Sequence, residues 1–452
     1  MFYNRTRTFS PGDVLLFRPL LFLMLYLQKM IFGYAFFWWQ LTALGAHLFS
    51  VWALWRLLRR WAGDHAGSQA AAWLFTIFFA FLFANTEAVI WHGITPYVFF
   101  AGFILMALDQ LETHLLSAGH DQRSLNTCAG WLLAAVLIYE AGIWYIPCLF
   151  LYAFLSLKGS GREQKSLILL VPILIYAGWD IGHWLITACH FDAETSRIAG
   201  TLPGLKTLMN FGSVAKWFIA GGFFLQPQDI IPISRLMVRP DVFRWDWPLA
   251  NADPARWIGA AALIATAASA GISMLKCRKE TMSAKALLLT AMLAGYVLII
   301  VAGRANVRED GSGLHRSLYY FYNFWVLFTP LLFLVTRPLF NKHRLLAGAL
   351  SITLLCLAVQ GSWNISRICT TIAEDQRPSR LLIKLLEGFI AQHRQEKDLS
   401  FYIRPNEPGN YWVNWLIKKN DPPGKHYYFV DVLYPQYTDP LHPKYRLQGI
   451  VQ

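Results

Sequence analysis

The chain has 452 residues, 56% of them hydrophobic and only 15% charged, with a positive mean hydropathy. A soluble domain carries about 25% charged residues, so a soluble globular protein is excluded. The net charge of +13 does not mark a nucleic-acid binder, because the basic residues sit mostly at the ends of apolar segments, where the positive-inside rule puts them.

In chain order, apolar segments fall near 14–32, 36–57, 70–84, 89–110, 127–139, 143–157, 166–188, 257–275, 284–303, 317–336 and 344–361. Each reaches or approaches the ~20 residues that cross a bilayer. The stretch 212–225 is apolar but shorter and Gly-rich. The expectation is a polytopic α-helical membrane protein with about ten to twelve membrane helices. The first thirteen residues, "MFYNRTRTFSPGD", lack the apolar core of a secretory signal.

Loop charge sets the orientation. "WRLLRR", "LKGSGREQK", "LKCRKE" and "RPLFNKHR" are basic and are expected on the cytoplasmic side, whereas the connections 84–88 and 140–142 hold no Lys or Arg. Parity then puts 189–256, the 304–316 loop and the C-terminal tail on the outer face. Segment 14–32 has two readings, a span or a helix lying along the outer surface. Arg18-Pro19 and Gln28-Lys29 suit the second better. Residues 1–361 form one expected membrane domain. Beyond Trp363, helical spacing with many charges and then "LSFYIRP" and "HYYFVDVLYP" predict a small outer-face α/β appendage over 362–452.

Ionisable groups at membrane depth are costly, so each is a functional candidate. Glu87, with Trp91 and His92 in "FANTEAVIWHG", and Glu140 in "LIYEAGIWYIP" are acids at short outer-face turns. Either suits a substrate contact, and either suits the cap of a helix N-terminus. Asp180 and His183 share a helix face and read as a buried pair. The loop "RANVREDGSGLHR" carries Arg304, Arg308 and Arg316, more charge than an outer loop should hold. The arginine fork matches phosphate oxygens, although Glu309 and Asp310 can also pair these residues. Six cysteines without CxxC spacing indicate neither a metal site nor a disulfide framework. One or two outer acids are compatible with a divalent cation, without a signature for one. No Gly-rich phosphate loop, HExxH, GxSxG or kinase motif is present.

Several of these stretches, in order, resemble the GT-C glycosyltransferases, in particular the bacterial protein-mannosyltransferase-like proteins and the transmembrane O-mannosyltransferases with tetratricopeptide repeats. "NTEAVIWHGITPYVFFAGFILMAL" is similar to the "HPxxTEAV…GRxDxL" segment, with Thr86 and Glu87 on the family positions and Ala84-Asn85 in place of His-Pro. "FRPLLFLMLYLQKMIFG" resembles the juxtamembrane "YRPL…LFG" helix through Arg18, Pro19, Leu20 and Gly33. "QLTALGAH" resembles "HxxNxxxH", keeping His47 but carrying Gln40 and Ala43. "LIYEAGIWYIP" resembles "SKE…LP" through Glu140 and Pro147, and "HRSLYYF" resembles "RYLY" through Arg316, Leu318 and Tyr319.

The resemblance covers roughly residues 15–361 and omits the repeats. It implies transfer of a sugar from a polyprenyl-phosphate donor to a glycan, lipid or protein acceptor at the outer face of a bacterial inner membrane. Glu87 would serve the acceptor, and Arg304, Arg308 and Arg316 the lipid phosphate. Arg18, Trp91, His92, Glu140 and Tyr319 would line the same cavity. The family's acidic motif lies before its juxtamembrane helix, where Asp13 is the sole acid here. Three alternatives follow: Asp13 takes that role, the chain begins late, or the protein is a non-catalytic relative in envelope glycan assembly. A transporter or flippase of lipid-linked glycans is the reading from another class, and it would call for paired inverted halves.

Overall fold

The computed structural model describes residues 18–33, 36–90, 94–157, 162–188, 215, 218–219, 281–303, 319–375, 392, 398–402 and 426–430. The chain divides into two compact units, 1–225 with 251–362 and 226–250 with 363–452.

In chain order the helices are α1 (Pro19–Phe32), α2 (Phe36–Ala62), α3 (Ala66–Ala80), α4 (Thr86–Ile90), α5 (Thr95–Leu116), α6 (Gln122–Ile138) and α7 (Gly142–Ser156). They continue with α8 (Arg162–Leu167), α9 (Val171–Ala188), α10 (Thr281–Gly303), α11 (Tyr319–Lys342) and α12 (Arg344–Asp375). A 3-10 turn, Phe83–Asn85, precedes α4. Four spans among the described residues are long and apolar enough to cross a membrane: Phe37–Ala62, Thr95–Leu116, Tyr320–Lys342 and Arg344–Trp363. Five shorter apolar helices accompany them. Segment 257–275 lies outside the described residues.

Local chemistry sets several boundaries. Pro19, whose ring fixes the helical φ, opens α1, and Gly33 at a φ of 53° closes it by donating to the Lys29 carbonyl. Asp121 caps α6 by accepting from the Ser124 amide at 3.1 Å. Two sequence boundaries need correction. The apolar stretch 89–110 is not one helix, because α4 ends at Ile90 and α5 begins at Thr95 with Pro96 in its first turn. The helix from Arg344 also runs past Trp363 to Asp375, because nothing in "NISRICTTIAED" breaks it.

Helix α5 is the hub, packed on α2 and α6 along its length and on α7 and α11 more briefly. Gly102 lets it come close to α2, since a Cβ there would sit 2.5 Å from the Phe49 ring. By contrast α12 buries only 22% of its apolar window, leaving Leu345, Ile352, Val359 and Trp363 exposed. Side chains of this kind on an outer helix suit a lipid environment rather than water. In the second unit, strands β1 (Asp398–Tyr402) and β2 (His426–Val430) pair in parallel, with Asp398 opposite His426 and Tyr402 opposite Val430.

Candidate functional site

The site is built where α1 begins, α5 begins and α6 turns into α7. Arg18, held at the mouth of α1 by Pro19, is 8% exposed. Its Nε donates to Glu140 Oε2 at 2.7 Å and its Nη2 to Oε1 at 2.5 Å, a two-pronged ion pair between residues 122 positions apart. Its Nη1 donates to the Tyr97 hydroxyl at 2.6 Å. The Tyr97 and Tyr139 rings flank the guanidinium at 5.7 and 5.2 Å. Burial works against the charge on Arg18, but Tyr97, Glu140 and Tyr139 outweigh it and raise the pKa above its ordinary value. Glu140 keeps 25% of its side chain exposed. Each Glu140 oxygen accepts from Arg18, which ties the start of α7 to the start of α1.

A second set of bonds fixes the turn that carries Glu87. Gln40 of α2 donates to the Val89 carbonyl of α4 at 2.5 Å, and Asn85 donates to the Phe79 carbonyl at 2.7 Å. His47 lies between the Tyr322 hydroxyl at 2.9 Å and the Ala80 carbonyl at 3.1 Å. A carbonyl can only accept, so Nε2 carries the proton and Nδ1 accepts from Tyr322. His47 thereby ties α2, the end of α3 and α11 together. Helix α4 packs against α2, α5 and α11, which brings the Glu87 backbone to the end of the bundle where α5 and α11 begin.

Of the residues singled out in the sequence, the structure joins Arg18 to Glu140 directly. Glu87 and Tyr319 lie in described helices, α4 and α11, but their side chains fall outside the described set. Asp13, Trp91, His92, Arg304, Arg308 and Arg316 also lie outside the described residues, and Asp180 and His183 are described only in their backbone. Among the described residues no three His, Cys, Asp or Glu side chains gather as a metal site.

Sequence reasoning passed over the opposite end. Asp109 on α5, fully buried, accepts from Arg56 Nη2 at 2.8 Å and from Arg60 Nε at 2.9 Å. One turn further on, Glu112 accepts from Tyr152 at 2.7 Å and from Lys285 at 2.6 Å. Lys285 also sits over the Trp61 ring at 5.4 Å. Acids three apart on a largely apolar helix, with arginines four apart on another, were the available signal. Polar groups were also missed nearer Arg18: buried Asn323 on α11, whose two amide atoms have no partner among the described residues, and the Asn85 Oδ1, likewise unpartnered.

No family model, curated protein or solved structure matches this chain.

Proposed function

We propose that the protein is a membrane glycosyltransferase of GT-C type, moving a sugar from a polyprenyl-phosphate donor to an acceptor at the outer face of a bacterial inner membrane. The observation that supports it is convergence. Arg18, Gln40, His47, the helix bearing Glu87, and Glu140 belong to separate stretches of the resemblance, and all are tied into one end of one bundle. In the reaction proposed, the acceptor hydroxyl attacks the anomeric carbon and gives its proton to Glu87. The bond from that carbon to the phosphate oxygen breaks, and the leaving phosphate keeps the electron pair. Arg304, Arg308 and Arg316 stabilise the charge that builds there. The 362–452 appendage lies on the same outer face in this reading.

The test uses the full chain in nanodiscs with a panel of radiolabelled polyprenyl-phosphate hexoses and membrane-extract acceptors. Wild type should release polyprenyl phosphate, and Glu87→Gln should slow release by about 100-fold or more, as loss of a general base does, without lowering the melting temperature. Wild-type rates in the variant, or no release from any donor in the panel, would overturn the reading.

A further inference from the structure

Asn323 is 1% exposed, and its Oδ1 and both hydrogens of its Nδ2 have no partner among the described residues. In an apolar bundle such an amide costs free energy that a leucine would not. Buried polar groups are nearly always paired, so one left with both of its atoms orphaned calls for a reason. Its position supplies one. Helical spacing puts Asn323 on the opposite side of α11 from Phe321 and Trp325, which cover Phe218. That side lies between Tyr322, bonded to His47 of α2, and Tyr320, whose carbonyl accepts from Tyr296 of α10 at 3.1 Å. Asn323 therefore faces the interior of the bundle, about one turn into α11 from the end that α4 shares. A second orphan lies on an element packed against α11. The Oδ1 of Asn85, itself 2% exposed, has no donor, although the Nδ2 of the same side chain is bonded.

We infer that Asn323, with the Oδ1 of Asn85, is the contact for the hydroxyl groups of the sugar carried by the lipid donor. This rests on the transferase reading above and assigns part of its substrate site. The chemistry of the orphans selects the ligand. Two carbonyl-type oxygens need donors, and one NH2 group needs acceptors. A phosphate diester only accepts and would leave both oxygens bare, and a prenyl chain would leave all three groups bare. Neighbouring sugar hydroxyls donate and accept together, so they pair both halves of a side-chain amide at once. The Arg18–Glu140 pair, each of whose carboxylate oxygens already accepts from the guanidinium, is not called on for this contact.

The experiment measures the melting temperature of the full chain in nanodiscs, without ligand, with a polyprenyl-phosphate hexose, and with the same polyprenyl phosphate lacking the hexose. Asn323→Leu without ligand should melt about 2 °C higher than wild type, because a buried unpaired amide is replaced by an apolar group of similar size. In wild type the hexose-bearing lipid should add a shift beyond that of the bare lipid phosphate. In Asn323→Leu the two lipids should give equal shifts, with hexose-dependent affinity down about tenfold, as loss of a hydrogen bond into a buried site produces. Asn323→Ser, which keeps a hydroxyl, should fall between them.

A hexose-dependent shift of wild-type size in Asn323→Leu would overturn this assignment and leave the transferase reading standing. A hexose-dependent shift absent from wild type itself would remove both. An Asn323→Leu protein that melts lower than wild type and still distinguishes the two lipids would make the amide an ordinary structural group.

Discussion

The two ends of the helical bundle satisfy their polar groups differently. At the end where α2 finishes, Asp109 and Glu112 sit one turn apart inside the protein, and each accepts from two donors, so four helices are tied through one turn of α5. At the end where α1 begins, a single carboxylate meets a single guanidinium and stays a quarter exposed. Nearby, buried amide atoms of Asn323 and Asn85 go unpaired. A polar network is stabilising when all its members are satisfied, and an orphan inside it costs free energy. The first end is held chiefly by charge, although Trp61 Nε1 and His114 Nε2 go unpaired there as well among the described residues. The second has one ion pair beside its unpaired amides, the kind of local cost a functional site carries.

Breaking the first end should have the largest effect. Asp109→Asn leaves Arg56 and Arg60 without their counter-charge at a fully buried position, and should cost about 3 kcal/mol of stability, read as a fall in melting temperature and in folded yield. Changes at the Arg18 end should cost less stability and more function. Arg18→Lys keeps the charge but loses the two-pronged geometry, at about 1–2 kcal/mol. Glu140→Gln should behave alike, and a double-mutant cycle should show the two losses to be strongly non-additive. Under the proposed transferase reading, both variants should reduce donor turnover by more than tenfold, because the mouths of α1, α5 and α7 no longer share an anchor. If Asp109→Asn proved no more damaging to stability than Glu140→Gln, the contrast between the two ends would collapse.

How much of this could be read from residues alone depended on distance along the chain. Long apolar runs announced the helices, because hydropathy is a local property and a bilayer demands about 20 such residues. Arg18 and Glu140 each stood out as charges beside apolar segments, but their partnership, 122 positions apart, has no local trace. Asp109 and Glu112 were missed for the opposite reason. In "LDQLETHLL" they look like the wet end of a helix, and only the approach of α2 and α10 buries them. By charge Arg56 and Arg60 read as loop residues marking the cytoplasmic side, yet they lie within α2 and point their guanidinium groups at a buried acid. Asn323 gave no signal among the aromatic residues of "YYFYNFWV", because an unpaired amide is defined by what surrounds it.

The smallest expected effect belongs to the rim of the first end, at Asp121. The Ser124 hydroxyl at 2.6 Å and the Ser124 amide at 3.1 Å hold its carboxyl below the ordinary aspartate value of 3.8. A carboxylate whose folded pKa is depressed adds stability that is complete above the unfolded value. That stability drains away as the pH falls through the folded one. The cap on α6 should thus be intact from neutral pH down to about 4 and weaken only below it. Asn is as good a cap as Asp, so Asp121→Asn should melt like wild type at pH 7 and lose less on acidification to pH 3. An acid loss of equal size in the variant would show that this exposed cap is not its origin, and the depressed carboxyl of Asp121 would carry none of the acid sensitivity of the fold.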